Sequence, residues 1–255
     1  MKATKRLEQD KTCQQVVALY TELALNPRQD FGWGKGKENA RALGYDPTWL
    51  ERLPKPVWES SAAVGNPFAI GPIEPGETVI DLGCGAGADV CVAALLVGPR
   101  GRVIGVDSTP AMVEKARTNV ALAGFANVQI IEADIADFSV PDSCADVVLF
   151  NGAINLSPHK PCVLKEAIRV LKPGGRLYVA DMVHDPASSA KASAETDGGS
   201  WANCVAGALA PACFVQMLAE AGFAETEFLR TTNYRTSPET IGATFRARKP
   251  TEPGQ

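Results

Sequence analysis

The sequence predicts an α/β fold with a doubly wound, mostly parallel seven-stranded sheet and an N-terminal helical cap. Three observations predict it. From Glu77 onward, strand-like and helix-like segments alternate at the lengths of βα units. The first strand opens through a glycine-rich turn straight into the first helix, in the stretch DLGCGAGAD from Asp81 to Asp89. Near the end, two strand-like segments follow one another with no helix between them, which gives an otherwise parallel sheet an antiparallel edge.

Residues 1–72 form the expected cap. In LEQDKTCQQVVALYTELAL the apolar Val16, Leu19, Tyr20 and Leu23 recur at helical spacing, and Asn26-Pro27 stops the helix. DFGWGKGKENARALGY reads as a glycine-rich loop entering a short helix, followed by DPTWLERLP and PKPVWESSAAVGNPFAIGP. Trp33, Trp49 and Trp58 are expected to pack the cap rather than stack on a substrate, because aromatic side chains bury large areas wherever they sit.

Residues 73–183 form the expected core. TVIDLG is a buried strand, ADVCVAALLVG a helix, GRVIGVD a strand, and TPAMVEKARTNVALAG a helix ended by Gly124. VQIIEAD and ADVVLFN are the third and fourth strands, KPCVLKEAIRVL a helix, and GRLYVADMV the fifth strand. Residues 184–255 are expected to supply a lid loop and complete the sheet. HDPASSAKASAETDGGS is small and polar, PACFVQMLAEAGF is a helix closed by Gly222, ETEFLRTT and IGATFRARKP are the last strands, and TEPGQ is a frayed tail.

With 45% hydrophobic and 21% charged residues and a net charge of −4, the 255-residue chain has no basic excess to bind nucleic acid or an anionic membrane nonspecifically. No apolar run is long enough to cross a bilayer, and MKATKRLEQDKTC lacks the apolar stretch of a secretory leader. Seven cysteines at irregular spacing, with no Cys-x-x-Cys pair, fit free thiols in a reducing compartment, so a cytoplasmic location is expected. The two histidines, His159 and His184, are too far apart in sequence to suggest a zinc site, and no metal is expected.

Gly83, Gly85 and Gly87 stand between the first strand and the first helix, where glycine lets a ligand approach the backbone and the helix presents free N–H groups. Asp107, at the end of VIGVD, is placed to accept both hydroxyls of a ribose. This pattern fits two cofactors, since Gly83-x-Gly85-x-x-Ala88 also satisfies the dinucleotide fingerprint. An NAD-dependent dehydrogenase and a noncatalytic cofactor-binding module are therefore the rivals from other classes.

Asp81 before the turn, Asp134 in EAD at the third strand's end, and RVLKPGGRL before the fifth strand separate these readings. With the turn, they make the chain resemble the class I S-adenosylmethionine-dependent methyltransferases over at least Pro75 to Val183. The resemblance implies a Rossmann-like core and S-adenosyl-L-methionine as cofactor. It further implies that Gly83, Cys84, Gly85 and Gly87 meet the methionine part with Asp81 nearby, and that Asp107 takes the ribose, with Ser108 and Met112 beyond it. Asp134 and Ile135 would flank the adenine, and Asn151 would face the cofactor or acceptor.

GNPF at Gly65–Phe68, INLSPHK at Ile154–Lys160 and NCVAGAL at Asn203–Leu209 resemble segments of the arsenite methyltransferase family. That family implies trivalent arsenic held by cysteine thiolates, soft ligands for a soft centre. Its pattern has cysteine where this chain has Val64 and Gly152, and Cys204 alone is retained. Cys84 and Cys91 are expected to be packing residues, Cys144 and Cys162 lie in a turn and at a helix start, and Cys213 is the one further ligand candidate.

The resemblance implies transfer of a methyl group to a small-molecule acceptor, either a soft sulfur or metalloid centre or the O, N or C of a metabolite. Where a base assists, His184 at the fifth strand's end is better placed than His159, for which a surface position is expected. Cys204 is expected to be a nucleophile, a soft-substrate ligand or part of the lid's packing. Asn151, His184 and Cys204 are thus the catalytic candidates.

Overall fold

The computed structural model describes residues 2–185, 187 and 207–251, with side chains from residue 11 onward. Most of the expected lid loop, and Cys204, lie outside the described residues. In chain order the elements are α1 (Lys2–Leu25), α2 (Gly36–Ala42), α3 (Pro47–Arg52), α4 (Lys55–Glu59), β1 (Thr78–Leu82) and α5 (Ala88–Val97). Then come β2 (Arg102–Asp107), α6 (Pro110–Ala123), β3 (Val128–Glu132), β4 (Ala145–Asn151) and α7 (Lys160–Val170). The chain closes with β5 (Leu171–His184), α8 (Pro211–Glu220), β6 (Ala224–Thr231) and β7 (Thr240–Arg248).

The seven strands form one sheet in the order β3-β2-β1-β4-β5-β7-β6. β1 to β5 run parallel, with Val79 opposite both Val103 and Val147. β7 is antiparallel to β5 and to β6. The last strand in sequence is therefore inserted inside the sheet, and β6 makes the edge. β5 begins earlier than GRLYVADMV: it also takes in Leu171–Gly174, and the register against β4 shifts between Ala145 and Val147.

Each sheet face has its own core. Val163, Leu164, Ala167 and Val170 of α7 share one helical face and pack with Phe214 and Leu218 of α8 against Val148, Phe150 and Phe245. On the other face, α5 is buried nearly all round, Val90, Cys91, Val92, Ala93 and Ala94 included, because the sheet lies on one side and the cap on the other. The cap contributes Ala40, Tyr45, Leu50, Val57 and Trp58 to that core. Trp58 is fully buried and meets Tyr45 edge-on, with ring centroids 5.8 Å apart. Trp49 packs on Phe68 at 5.5 Å and Trp33 on Phe31 at 5.3 Å, so these indoles build the cap.

Candidate functional site

At the carboxyl ends of β1, β2 and β4, one cavity is walled by the core below and the cap above. This is where a doubly wound sheet changes strand direction and binds ligands. Asp81, Gly83, Cys84, Gly85, Asp107, Ser108, Met112, Asp134, Ile135 and Asn151 all line it. The sequence-predicted cofactor set is therefore brought together, apart from Gly87, which N-caps α5 just behind the wall.

The turn explains itself sterically. Gly83 has φ +81°, and a Cβ there would collide with the Cβ of Ala153. The N–H groups of Gly83 and Cys84 both donate to Val106 O, at 2.8 and 3.0 Å, fastening the turn to β2. Gly85 faces open space where a side chain would project, and its N–H donates to Asp107 Oδ2 at 2.8 Å. Asp107 Oδ1 accepts the Thr109 N–H at 2.8 Å, so this carboxylate is fixed by two backbone donors. Burial raises its pKa, and those hydrogen bonds oppose the rise.

Two further carboxylates face the same space. Asp81 is 2% exposed, and its carboxylate has no hydrogen-bond or ion-pair partner among the described residues. Burial, then the charges of Asp89 and Asp107, push its pKa well above the usual carboxylate range. Asp89, in the first turn of α5, accepts the Tyr45 hydroxyl at 2.7 Å and the Asn151 carboxamide at 2.8 Å. Burial raises it to about 6 against the pull of those two bonds. Cys84 and Cys91 are driven up by burial first, Cys91 to about 12, which holds both as neutral thiols.

Asn151 lines the cavity, but its carboxamide is also a structural joint. Its Oδ1 accepts the N–H groups of Val64 and Gly65 at 3.0 and 3.4 Å, and its Nδ2 lies within hydrogen-bond distance of Gly65 O and Tyr45 Oη as well as Asp89. His184 pairs with Thr240 in the sheet and is not part of the wall. His159 is exposed at the start of α7, and Cys213 is exposed on α8. Of the three catalytic candidates, the structure places Asn151 in the wall and His184 outside it, and Cys204 lies outside the described residues.

Sequence reasoning missed Asp89, Tyr45 and the α1 face formed by Cys13, Val16, Val17 and Tyr20, which closes the cavity together with Ser60–Ala63. Positions 13, 16, 17 and 20 follow the i, i+3, i+4, i+7 spacing of one helical stripe, a signal present in the sequence. Asp89 was equally visible as the acid ending DLGCGAGAD. Nothing local marked Tyr45.

The wall carries Asp81, Asp89, Asp107 and Asp134, and among the described residues no Lys, Arg or His lines it. It suits a ligand with hydroxyls and positive charge. The pyrophosphate of a dinucleotide would instead meet carboxylates with no cation to offset them. The orphaned Asp81 carboxylate and the open approach at Gly85 fit S-adenosyl-L-methionine, which has a ribose, an ammonium and a sulfonium and no phosphate.

A methyltransferase domain model matches residues 73–222. The chain is 44% identical over 163 residues to an arsenite methyltransferase of Halobacterium salinarum, covering 64% of this chain and 41% of that protein. It is 36% identical over 140 residues to the human arsenite methyltransferase, covering 51% of this chain and 37% of that protein. The chain thus spans about two fifths of the length of these curated relatives. The crystal structure of an arsenic(III) S-adenosylmethionine methyltransferase from Chlamydomonas reinhardtii is similar at a TM-score of 0.59 and 32% identity, covering 84% of this chain and 74% of that one.

Proposed function

Because the chain belongs to the methyltransferase domain family, we propose that it transfers a methyl group from S-adenosyl-L-methionine to a small-molecule acceptor. The observation that carries this reading is the cavity itself, in which the glycine turn, Asp107 and the unpaired Asp81 carboxylate converge with no basic side chain among the described residues of the wall. Its fold is that of the class I enzymes, a seven-stranded sheet with β7 antiparallel.

In this proposal, residues 73–183 bind the cofactor, residues 1–72 cover it, and residues 184–255 complete the sheet and the lid. Asp107 takes the ribose hydroxyls, with Ser108 and Met112 beside them, and Asp134 and Ile135 border the adenine. Gly83, Cys84, Gly85 and Gly87 leave the backbone free for the methionine end, beside Asp81. When bound, the cofactor supplies an electrophilic methyl on a sulfonium. The chain's own part is to orient donor and acceptor and to exclude water, and orientation alone contributes about 7–11 kcal/mol in well-aligned pairs. The α1 stripe and Ser60–Ala63 give the acceptor a largely apolar wall edged with hydroxyls and the Cys13 thiol.

The arsenite methyltransferase relatives support a soft sulfur or metalloid acceptor, with Cys204 as one contact. A second reading, methylation of the O, N or C of a metabolite, is supported by Val64 and Gly152. Val64 is buried and packed among Ala180, Met182 and Tyr234, and Gly152 has a left-handed backbone at which an added Cβ would press on Val64 at 3.3 Å. Among the described residues no group of three His, Cys, Asp or Glu side chains is arranged to hold a metal ion. His184 would serve as a base only if the acceptor brought its proton to the end of β5. No helix among the described residues is long and apolar enough to cross a membrane, and we place the protein in the cytoplasm.

Transfer of radiolabelled methyl groups to arsenite, thiols, phenols and amines tests both readings. Label in methylated arsenic selects the first, and label only in an oxygen, nitrogen or carbon acceptor selects the second. Tight cofactor binding with no transfer to any acceptor would indicate a binding module.

A further inference from the structure

Asp89 lies in the cavity wall yet takes no part in the ribose, adenine or turn contacts just assigned. It is 7% exposed, and its two hydrogen-bond partners come from distant parts of the chain, Tyr45 from the cap and Asn151 from the end of β4. Neither partner carries charge. Asp81, its neighbour, is more deeply buried, and its carboxylate has no hydrogen-bond or ion-pair partner among the described residues. Two buried acids thus face one cavity whose described wall offers no cation, so ionising both is costly until a positive ligand arrives.

We infer that Asp89, held in place by Tyr45 and Asn151, is a specificity-determining residue that with Asp81 makes the cavity favour the cationic methyl donor over its neutral-sulfur product. The inference rests on the cofactor reading above. In the transfer, an electron pair of the acceptor forms the bond to the methyl carbon and the C–S pair returns to sulfur. The sulfonium charge is lost while the ammonium, carboxylate, ribose and adenine are unchanged. Donor and product therefore differ at the site by one methyl group and one positive charge. A wall that responds to that charge binds the donor and loosens its hold once the methyl has gone, which assists exchange of product for fresh donor.

The network suits this role. The Asp89 charge is oriented by two neutral donors without being cancelled, and the N-terminus of α5 helps to hold it ionised. Among the described residues, the titratable groups that act on it or are acted on by it are Tyr45 from the cap, Asp81 from β1 and Cys91 from α5, while Cys84 from the turn and Asp107 from β2 line the same cavity. Burial drives Tyr45 and both thiols upward, so these stay neutral across the physiological range and the carboxylates alone change charge there.

Calorimetric titration of the purified full chain with S-adenosylmethionine, S-adenosylhomocysteine and sinefungin, which carries a protonated amine at the sulfonium position, tests the inference. Asp89→Asn keeps the shape of the side chain. Its amide can donate to the Tyr45 hydroxyl, which can turn its own proton to Gly65 O, 3.3 Å away. The variant is expected to weaken both cationic ligands by about ten-fold while S-adenosylhomocysteine changes little. Equal weakening of all three ligands, or an unchanged ratio, overturns the inference and leaves Asp89 a packing residue.

The wild-type protein gives a second readout that needs no variant. Between pH 8 and pH 5 its preference for donor over product should shrink several-fold as the wall carboxylates take up protons, because the ligands' own amino and carboxyl groups are common to both. A preference constant across that range also overturns the inference. Failure of the wild-type protein to bind any of the three ligands overturns the cofactor reading itself and the inference with it, a result distinct from an unchanged ratio.

Discussion

A Cβ built on Gly152 would stand 3.3 Å from Val64 Cγ1, so the chain after β4 and the segment entering GNPF lie close enough that a side chain at 152 would make Val64 give by a few tenths of an ångström. The backbone at Gly152 has φ +72°, a left-handed conformation that L side chains rarely adopt. These are the two positions at which the arsenite methyltransferase pattern has thiols. The pair has become a complementary apolar contact, and a thiol at 152 would need both a strained backbone and a shifted Val64.

Gly152→Ala should therefore lower the unfolding free energy by about 1–3 kcal/mol, most of it from backbone strain. Adding Val64→Ala removes the steric part but not the strain, so the double variant should not regain the stability of Val64→Ala alone. Urea midpoints for the two single variants and the double variant measure this cycle, and full recovery would place the whole effect in the side-chain contact.

Asn151→Ala removes a donor to the Asp89 carboxylate and an acceptor for two backbone N–H groups, all in a partly buried setting. A loss of about 3 kcal/mol is expected, with Tyr45→Phe costing about 1 kcal/mol. The two effects should fall short of additive in the double variant, because both residues serve the same carboxylate. Chemical denaturation of all three proteins checks it, and strict additivity would mean that the hydrogen bonds act independently.

How far these features could be read from the sequence depends on how local their causes are. DLGCGAGAD announces its strand, turn and helix because the constraint is written in adjacent residues, and Asp107 follows at the next strand end. Tyr45 meets Asp89 across 44 residues and Asn151 meets Asp89 across 62, with nothing near Tyr45 to mark it from any other cap aromatic. The placement of β7 between β5 and β6 is likewise nonlocal. It depends on Val179 pairing with Phe245, a match that alternation within either strand cannot reveal. The early start of β5 was hidden by Pro173 and Gly174, residue types that disfavour regular strand yet here sit in a stretch where the register against β4 shifts.

Gly83→Ala should abolish measurable binding of S-adenosylhomocysteine even if the protein still folds. The added methyl group must displace Ala153 or reshape the turn that the Gly83 and Cys84 N–H groups tie to Val106. Either movement shifts the wall by a distance that well-positioned ligands do not tolerate. Isothermal titration beside a far-ultraviolet circular dichroism spectrum separates loss of the site from loss of the fold, and near-wild-type affinity would show that the turn adapts.

The INLSPHK segment rests on a buried carboxylate whose titration should be visible in stability. Asp181 is fully buried and accepts the N–H groups of Met182 at 2.7 Å and Asn155 at 3.2 Å, holding the turn after β4 against β5. Burial raises its pKa from 3.8 to about 6, while those bonds and the nearby Lys160 pull it down. The folded pKa lies above the unfolded one, so the native state holds the proton more tightly and this group's contribution to stability falls as pH rises from about 4 to about 6. The size of the fall is on the order of 2–3 kcal/mol. In Asp181→Asn that contribution disappears, whatever constant cost the amide brings by losing one acceptor. The difference in unfolding free energy between variant and wild type should therefore move in the variant's favour between pH 4 and pH 6 and level off above it. Urea unfolding at pH 4.5, 6 and 7.5 measures that difference, and a difference independent of pH would mean that Asp181 does not titrate in this window.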